Sequence, residues 1–305
     1  NARPKEIVFT SGATESINLA IRGICEQNSG IGHIITQATE HKAVLDTCDA
    51  MAKKGWDITI LPVYTDGRVD PSHVKNAIRD NTALVAIMHA NNEIGTIQPI
   101  AEIGSICRNS RATFLVDASQ SYGKLPIDVD TMQIDFLAAT AHKIYGPKGI
   151  GLIYVKGKSP KLKMTTQITG GGHEYGLRSG TLPVHQIVGF GKAIEICDTM
   201  EDEKMAILQK MLIDGIVTAH PDVQLNGSQE YRLGNNINIS FPGLDAETLI
   251  TKMKGIACST GSACSTANLE PSHVLNAIAL NNEMAHSSIR FSLGRFNTKE
   301  EILTA

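Results

Sequence analysis

Six cysteines in 305 residues are too few for a disulfide-built scaffold, and no two of them form a CxxC pair. A structural zinc site therefore lacks its usual ligand spacing, and no metal is expected. Long apolar runs are also missing. None reaches membrane-spanning length, and Asn1-Ala2-Arg3-Pro4-Lys5 carries no signal-peptide pattern. Free thiols in a reducing compartment fit this usage, which gives the expectation of a cytoplasmic protein, or of one in the mitochondrial matrix if the source is eukaryotic. Charge of one sign is not in excess: 28 Lys and Arg stand against 31 Asp and Glu, a net charge of -3. No basic stripe offers itself to nucleic acid, and no acidic tail to a charge-driven partner. Internal repeats and low-complexity tracts are absent.

What remains is an ordinary folding composition, 42% hydrophobic and 19% charged, in a chain long enough for two domains. Short apolar runs alternate with helical spacing as far as about residue 155. The strands expected are Glu6–Thr10, His33–Thr36, Asp57–Leu61, Ala83–Met88, Thr113–Val116, Asp135–Ala139 and Gly151–Val155. Helical spacing follows at Ile17, Ala20, Ile21 and Ile24, from Ala43 to Met51, and from Ile100 to Cys107. This alternation predicts an α/β fold with a mostly parallel central sheet and helices on both faces. From Val184 to about Ile216 one long helix is expected. Strands at Asn236–Phe241 and Ser288–Phe291 and a helix from Ala246 to Met253 then suggest a smaller α+β C-terminal domain. The expected division is 1-195 and 196-305.

The chemistry concentrates at strand ends, where open α/β sheets bind ligands. The first strand runs into Thr10-Ser11-Gly12-Ala13-Thr14, the second into Thr39-Glu40-His41-Lys42, and the fourth into His89-Ala90-Asn91-Asn92-Glu93. The fifth ends at Asp117 with Ser119 and Gln120 beyond it, and the sixth leads to Thr140-Ala141-His142-Lys143. Gly12-Ala13-Thr14 suits either an anion at a helix start or a plain capped turn. Lys143 is either a solvated rim lysine or a desolvated amine able to form a Schiff base. Asp117 caps the next helix or holds a pyridinium proton. His41 is a cap, a core residue or a working imidazole, and Asn91-Asn92 form a turn or a site. Cys264 lies in the small-residue run Cys258-Ser259-Thr260-Gly261-Ser262-Ala263-Cys264-Ser265-Thr266-Ala267-Asn268, which suits an exposed, reactive thiol on a loop. Cys258 reads as structural, and the other four cysteines fall in helix-like stretches. Arg290, in a strand with apolar neighbours, needs a carboxylate partner or an internal salt bridge. Gly170-Gly171-Gly172 lacks the strand-loop-helix context of a nucleotide fingerprint.

Taken together, Phe9-Thr10-Ser11-Gly12-Ala13-Thr14-Glu15-Ser16, Thr39-Glu40-His41-Lys42-Ala43-Val44-Leu45 and Asn91-Asn92-Glu93-Ile94-Gly95 resemble the IscS/NifS group of cysteine desulfurases. So do Val116-Asp117-Ala118-Ser119-Gln120-Ser121, Ala141-His142-Lys143-Ile144-Tyr145-Gly146-Pro147-Lys148-Gly149, Arg178-Ser179-Gly180-Thr181, Gly261-Ser262-Ala263-Cys264 and Leu269-Glu270-Pro271-Ser272. The resemblance implies the fold type I of pyridoxal 5'-phosphate (PLP)-dependent transferases, reaching beyond both ends of this sequence. It implies conversion of L-cysteine to L-alanine, with sulfur passing to a persulfide on Cys264. Lys143 would hold the cofactor covalently, Asp117 its ring nitrogen and Gln120 its ring hydroxyl, with His41 stacked on the ring. Thr14, Thr140, His142 and the backbone at Ala13 would hold the phosphate. Thr181 would reach the phosphate in the other subunit of a homodimer. Asn92 and Arg290 would bind the substrate carboxylate, with Asn92 also near the cofactor. An iron–sulfur scaffold, tRNA thiolation enzymes or other sulfur acceptors would be partners, with no direct nucleic-acid or membrane binding. Thr140-Ala141 stands where the group has Ser-Gly, which keeps a hydroxyl. Rival readings are another fold type I enzyme, such as a class V aminotransferase or selenocysteine lyase, and a non-catalytic scaffold. An aminotransferase would have no use for Cys264.

Overall fold

The computed structural model describes residues 1–28, 30–157, 163–197, 199–260 and 271–305, with side chains at 199–202 left aside. Its chain forms two compact units. The first comprises Asn1–Leu61, Val69–His89 and Gln98–Cys197. It contains β1 (Ile7–Thr10), α1 (Ala13–Gln27), β2 (His33–Gln37), α2 (Lys42–Ala52), β3 (Asp57–Leu61), α3 (Pro71–Ala77) and β4 (Thr82–Met88). Then come α4 (Ile100–Arg108), β5 (Thr113–Asp117), β6 (Phe136–Thr140), β7 (Gly151–Val155) and α5 (Val184–Glu195).

The strands make one sheet in the order β1-β7-β6-β5-β4-β2-β3. Neighbours from β6 to β3 are parallel, and β7 runs antiparallel to both β6 and β1. β2, β5 and β6 are buried along their whole length, and the apolar runs of β5 and β6 reflect cover on both faces. Val8, Ile17, Ile21, Ile34, Met51, Leu84 and Phe136 form part of this core and are at most 1% exposed. α1 buries the stripe Ile17, Ala20, Ile21 and Ile24 predicted by its spacing, and Leu19 with it.

The second unit comprises Pro62–Arg68, Ala90–Ile97 and Asp198–Ala305. It holds α6 (Thr199–Ala219), β8 (Gln224–Leu225), β9 (Asn236–Ser240), α7 (Ala246–Lys252), β10 (Ser259–Thr260), α8 (His273–Ala277), α9 (Asn282–His286), β11 (Ser288–Ser292) and α10 (Lys299–Thr304). Its antiparallel sheet has the order β10-β11-β9-β8. Ile237, Ile239, Ile289 and Phe291 face α6 residues Met205, Leu208 and Leu212 in one apolar cluster. Ile94 joins a second cluster with Val274, Leu275 and Ile278, which is what draws 90–97 into this unit.

Several expectations need correction. The long helix from Val184 is two helices, α5 and α6: α5 tightens at its end, where the Cys197 N–H bonds the Ile194 carbonyl at 3.1 Å in place of the carbonyl four residues back. Cys197 consequently lies outside any helix, whereas Cys25, Cys48 and Cys107 are buried within α1, α2 and α4. Short elements such as α3, α8 and α9 escaped a periodicity reading because they are too brief to show a full amphipathic repeat.

Candidate active site

At the carboxyl ends of β4, β5 and β6 the ladder places Met88 beside Asp117 and Asp117 beside Ala138. The backbone carries that register past the strands, since His89 N donates to the Asp117 carbonyl at 2.8 Å and Ala118 N to the Ala138 carbonyl at 2.9 Å. Asp117 is buried, and its Oδ1 accepts both the backbone N–H of Ser119 at 2.9 Å and the Ser119 hydroxyl. Both bonds fall on one carboxylate oxygen. The turn this creates carries Gln120, half-buried, to the same rim.

Lys143 lies on a short 3-10 turn, Ala141–Ile144, immediately after β6. Its side chain is exposed. His142 beside it is also exposed, yet its imidazole is held below the usual range, first by partial desolvation and then by the charges of Lys143 and Lys148. Its Nδ1 is 3.0 Å from the hydroxyl of the buried Thr140.

The helix start of α1 lies at the next strand end. Gly12 is its N-cap, and no cap side chain covers the first N–H groups. Ala13 is half-buried and Thr14 exposed there. Gly151 supports this approach from below, because a Cβ on it would come within 2.6 Å of Gly12 Cα. Arg178 ties the following Arg178-Ser179-Gly180-Thr181 segment to the same turn through Glu15, at 2.8 Å. Burial pushes the Glu15 carboxyl up, but the bonds from Arg178 and Ser11 outweigh it and hold the group below its ordinary value. Thr181 itself is exposed.

His41 is the N-cap of α2, with Nδ1 accepting the Ala43 N–H at 3.0 Å. The cap fixes the tautomer: in the neutral ring the proton sits on Nε2. Behind it Glu40 is wholly buried, with Oε1 accepting from Gln37 Nε2 at 2.9 Å and from Met88 N at 2.6 Å. Burial pushes Glu40 up to about 8, and the charge of Asp117 adds to that push. Burial likewise takes His89 down to about 4, so its ring is neutral. Sequence reasoning takes Glu40 only as part of the Thr39-Glu40-His41-Lys42 run; its one signal is a carboxylate three residues beyond the strand His33–Gln37.

In the second unit, Asn91 Oδ1 accepts the N–H groups of Glu93 and Ile94, at 2.8 and 3.0 Å, so Asn91 is the turn former of the pair. Gly95, at φ +73, needs its missing Cβ because an added one would lie 3.0 Å from Asn236 Oδ1. This turn presents Asn92, whose carbonyl accepts from Arg290 Nη1 at 3.1 Å. Glu93 beside it is buried and pushed up to about 7; the Ser272 hydroxyl and the charge of Arg290 limit that rise. Arg290 thus bonds a backbone carbonyl within its own unit. Cys264 lies outside the described residues. Cys258 is half-buried, and burial raises its thiol.

The arrangement fits PLP on its own donor set: a buried carboxylate at one strand end, an amine on the turn after the adjacent strand, and an uncapped helix start beside them. A cavity of about 400 Å³, lined by Asn81, Thr82, Thr113, Arg111 and Lys163, lies instead where β4 and β5 begin, away from all of these groups. Among the described residues no His, Cys, Asp and Glu cluster has metal-binding character, and no helix is long and apolar enough to cross a membrane.

Comparison with known proteins extends the picture. Residues 1–304 match the family described as Aminotransferase class-V. The chain is 51% identical over 305 residues to the cysteine desulfurase IscS of Aeromonas hydrophila, covering 99% of this chain and 75% of that protein. It is 53% identical to the cysteine desulfurase IscS of Pasteurella multocida over the same shares. Among solved structures, a NifS-like protein superposes with a TM-score of 0.91 at 35% identity, over 99% of this chain and 80% of that one. SspA in complex with cysteine gives a TM-score of 0.86 at 40% identity, over 97% and 83%.

Proposed function

The chain belongs to the class V aminotransferase family and, within it, to the PLP-dependent cysteine desulfurases, and from that premise we propose which side chains carry the reaction. The supporting observation is that Asp117 and the Lys143 turn leave adjacent, paired strands at the same edge of the sheet. PLP, when bound, supplies an electrophilic carbon and a cationic ring that stores electrons. Lys143 would hold it and, once released, take the Cα proton of L-cysteine. Asp117 Oδ2 would hold the ring N–H, because Ser119 occupies Oδ1. Gln120 would meet the ring hydroxyl and His41 the ring face. Its Nδ1 is committed to the Ala43 cap, so any proton it handles passes through Nε2. The helix start at Ala13 and Thr14, with Thr140 and His142, would hold the phosphate, and the α1 dipole favours that anion.

Asn92 and Arg290 would hold the substrate carboxylate. Cys264 would take the sulfur: its S–S bond forms as the substrate Cβ–S bond breaks, and the carbon fragment leaves as L-alanine with the hydrogen given up by the Cys264 thiol. The persulfide would then pass to acceptor proteins, such as an iron–sulfur scaffold or a tRNA thiolation enzyme, in the cytoplasm or the mitochondrial matrix. A homodimer accounts for Thr181 reaching a second site. Supporting it, Val184 and Val188 are each 65% exposed on one face of α5, and Tyr145 and Tyr175 are exposed in the same unit.

The test is the visible spectrum of the purified protein before and after L-cysteine, with L-alanine measured alongside. A cofactor band that responds to cysteine, together with alanine, is expected. Lys143→Ala should lose the covalent cofactor band. A featureless spectrum that added PLP cannot restore would favour the non-catalytic scaffold.

A further inference from the structure

The sheet of the second unit has a face that is polar yet largely buried. Along β9 and β11, Ile237, Ile239, Ile289 and Phe291 belong to the apolar cluster with α6. The alternate positions pair as Ser240 with Ser288, Asn238 with Arg290 and Asn236 with Ser292. Asn236, Asn238, Ser240 and Ser288 are all buried, Asn238 completely. Buried amides and hydroxyls are costly unless paired, and here backbone carbonyls at both ends of the network set the direction of every bond. The Ser288 hydroxyl donates to the Met284 carbonyl of α9 at 2.7 Å, so the Ser240 hydroxyl, 2.7 Å away, donates to Ser288. Ser240 then accepts from Asn226 Nδ2 at 2.8 Å, and the same nitrogen donates to Asn238 Oδ1 at 2.8 Å. With its oxygen turned to Asn226, Asn238 aims its amide nitrogen the other way, at the Glu93 carbonyl 3.2 Å off.

The network therefore ends on the turn that presents Asn92. Asn91 Oδ1 takes up the N–H groups of Glu93 and Ile94 within that turn. The carbonyls face the polar side of the sheet instead. That of Asn92 accepts from Asn236 Nδ2 and from Arg290 Nη1, each at 3.1 Å, and that of Glu93 accepts from Asn238. Asn238 is also the cross-strand partner of Arg290, so one amide sits beside the guanidinium and holds the turn against it. An apolar side chain at 238 would fill the same space but leave the Glu93 carbonyl and the Asn226 amide each short of a bond. We propose that Asn238, with Asn236, is a positioning residue for L-cysteine: the two amides fix the Asn92 turn against Arg290, so that this pair meets the substrate carboxylate as a rigid clamp. The proposal rests on the reading of Asn92 and Arg290 as that clamp, and it assigns neither amide a contact with substrate or cofactor.

The holoenzyme tests it with two ligands: L-cysteine, and cysteamine, which keeps the amine and the thiol but has no carboxylate. Apparent Kd values are read from the first change in cofactor absorbance. Asn238→Ala should weaken L-cysteine about tenfold and leave cysteamine within about twofold of the parent. Asn236→Ala should act in the same sense but by about fivefold, because Arg290 still holds the Asn92 carbonyl, and it carries the test if Asn238→Ala does not fold. Ser240→Ala, which perturbs the same network without touching the turn, should cost stability in urea and keep both Kd values within about twofold. Hydrogen exchange in the peptide 90–97, measured without ligand, should quicken in Asn238→Ala and stay near the parent in Ser240→Ala. L-cysteine affinity at the parent value in both asparagine variants, an equal loss for cysteamine, or the same loss in Ser240→Ala would overturn the proposal. Failure of the underlying reading looks different: Asn92→Ala and Arg290→Ala would themselves keep the parent's preference for L-cysteine over cysteamine, and that outcome overturns the proposal too.

Discussion

Substituting Glu40 by glutamine removes a titration while keeping the shape of the side chain. Glu40 is wholly buried and is pushed from its ordinary 4.5 up to about 8. At about 1.4 kcal/mol per pH unit, ionising it in the folded protein costs about 5 kcal/mol more than in the unfolded chain. The folded state therefore holds the proton more tightly than the unfolded state. The stability this gives is fully present below pH 4.5 and is lost as pH rises towards 8. Glutamine cannot titrate, and its carbonyl can accept from both Gln37 and the Met88 N–H as Oε1 does now. Relative to the parent, Glu40→Gln should thus gain stability steadily with pH. The gap should widen by about 3 kcal/mol between pH 4.5 and 7 and by about 5 kcal/mol at pH 9. Urea unfolding of both proteins at matched pH values measures it. A gap constant within about 1 kcal/mol across that range would mean that Glu40 is ionised in the folded protein, and the assignment of a neutral carboxyl beside Asp117 would be wrong.

Two further predictions concern the site. Cys264→Ser should keep the cysteine-induced change in cofactor absorbance and stop persulfide formation; release of sulfide at the parent rate would remove Cys264 from the mechanism. Arg178→Ala breaks a pair with Glu15 in which both side chains are 18% exposed, and should cost about 2 kcal/mol at pH 7 by urea unfolding. Because Glu15 is held below its ordinary 4.5, that penalty is present above pH 4.5 and should fade as pH falls below it, and a penalty that persists in acid would point to lost packing instead.

The strand-end residues were legible in the sequence because buried parallel strands announce themselves as apolar runs, and whatever polar group follows such a run stands out. Asp117, His142, Lys143 and His41 were found in this way. Their roles came from the resemblance, since a carboxylate after a strand caps a turn as readily as it holds a ring, and Asp117 does form the turn. The neutral state of Glu40 was not legible, because it depends on β4 lying beside β2 and on the distance to Asp117. Nor was the assignment of 90–97 to the second unit. Ile94 looks like one more apolar residue after a strand until α8 is seen to bury it. Periodicity reports which face of an element is covered, never by what.

The bond between Ser272 and Glu93 joins positions 179 residues apart in the chain. During synthesis the Asn92 turn leaves the ribosome long before its covering helix exists. The second unit therefore cannot finish folding until nearly all of the described chain has been made, and Ile94 stays without its apolar cover in the meantime. Closing so long a loop is slow rather than prohibitive. A fragment beginning at 198 would lack both the turn and the isoleucine that α8 covers, so excising this unit at its longest continuous piece would yield a protein with an open core.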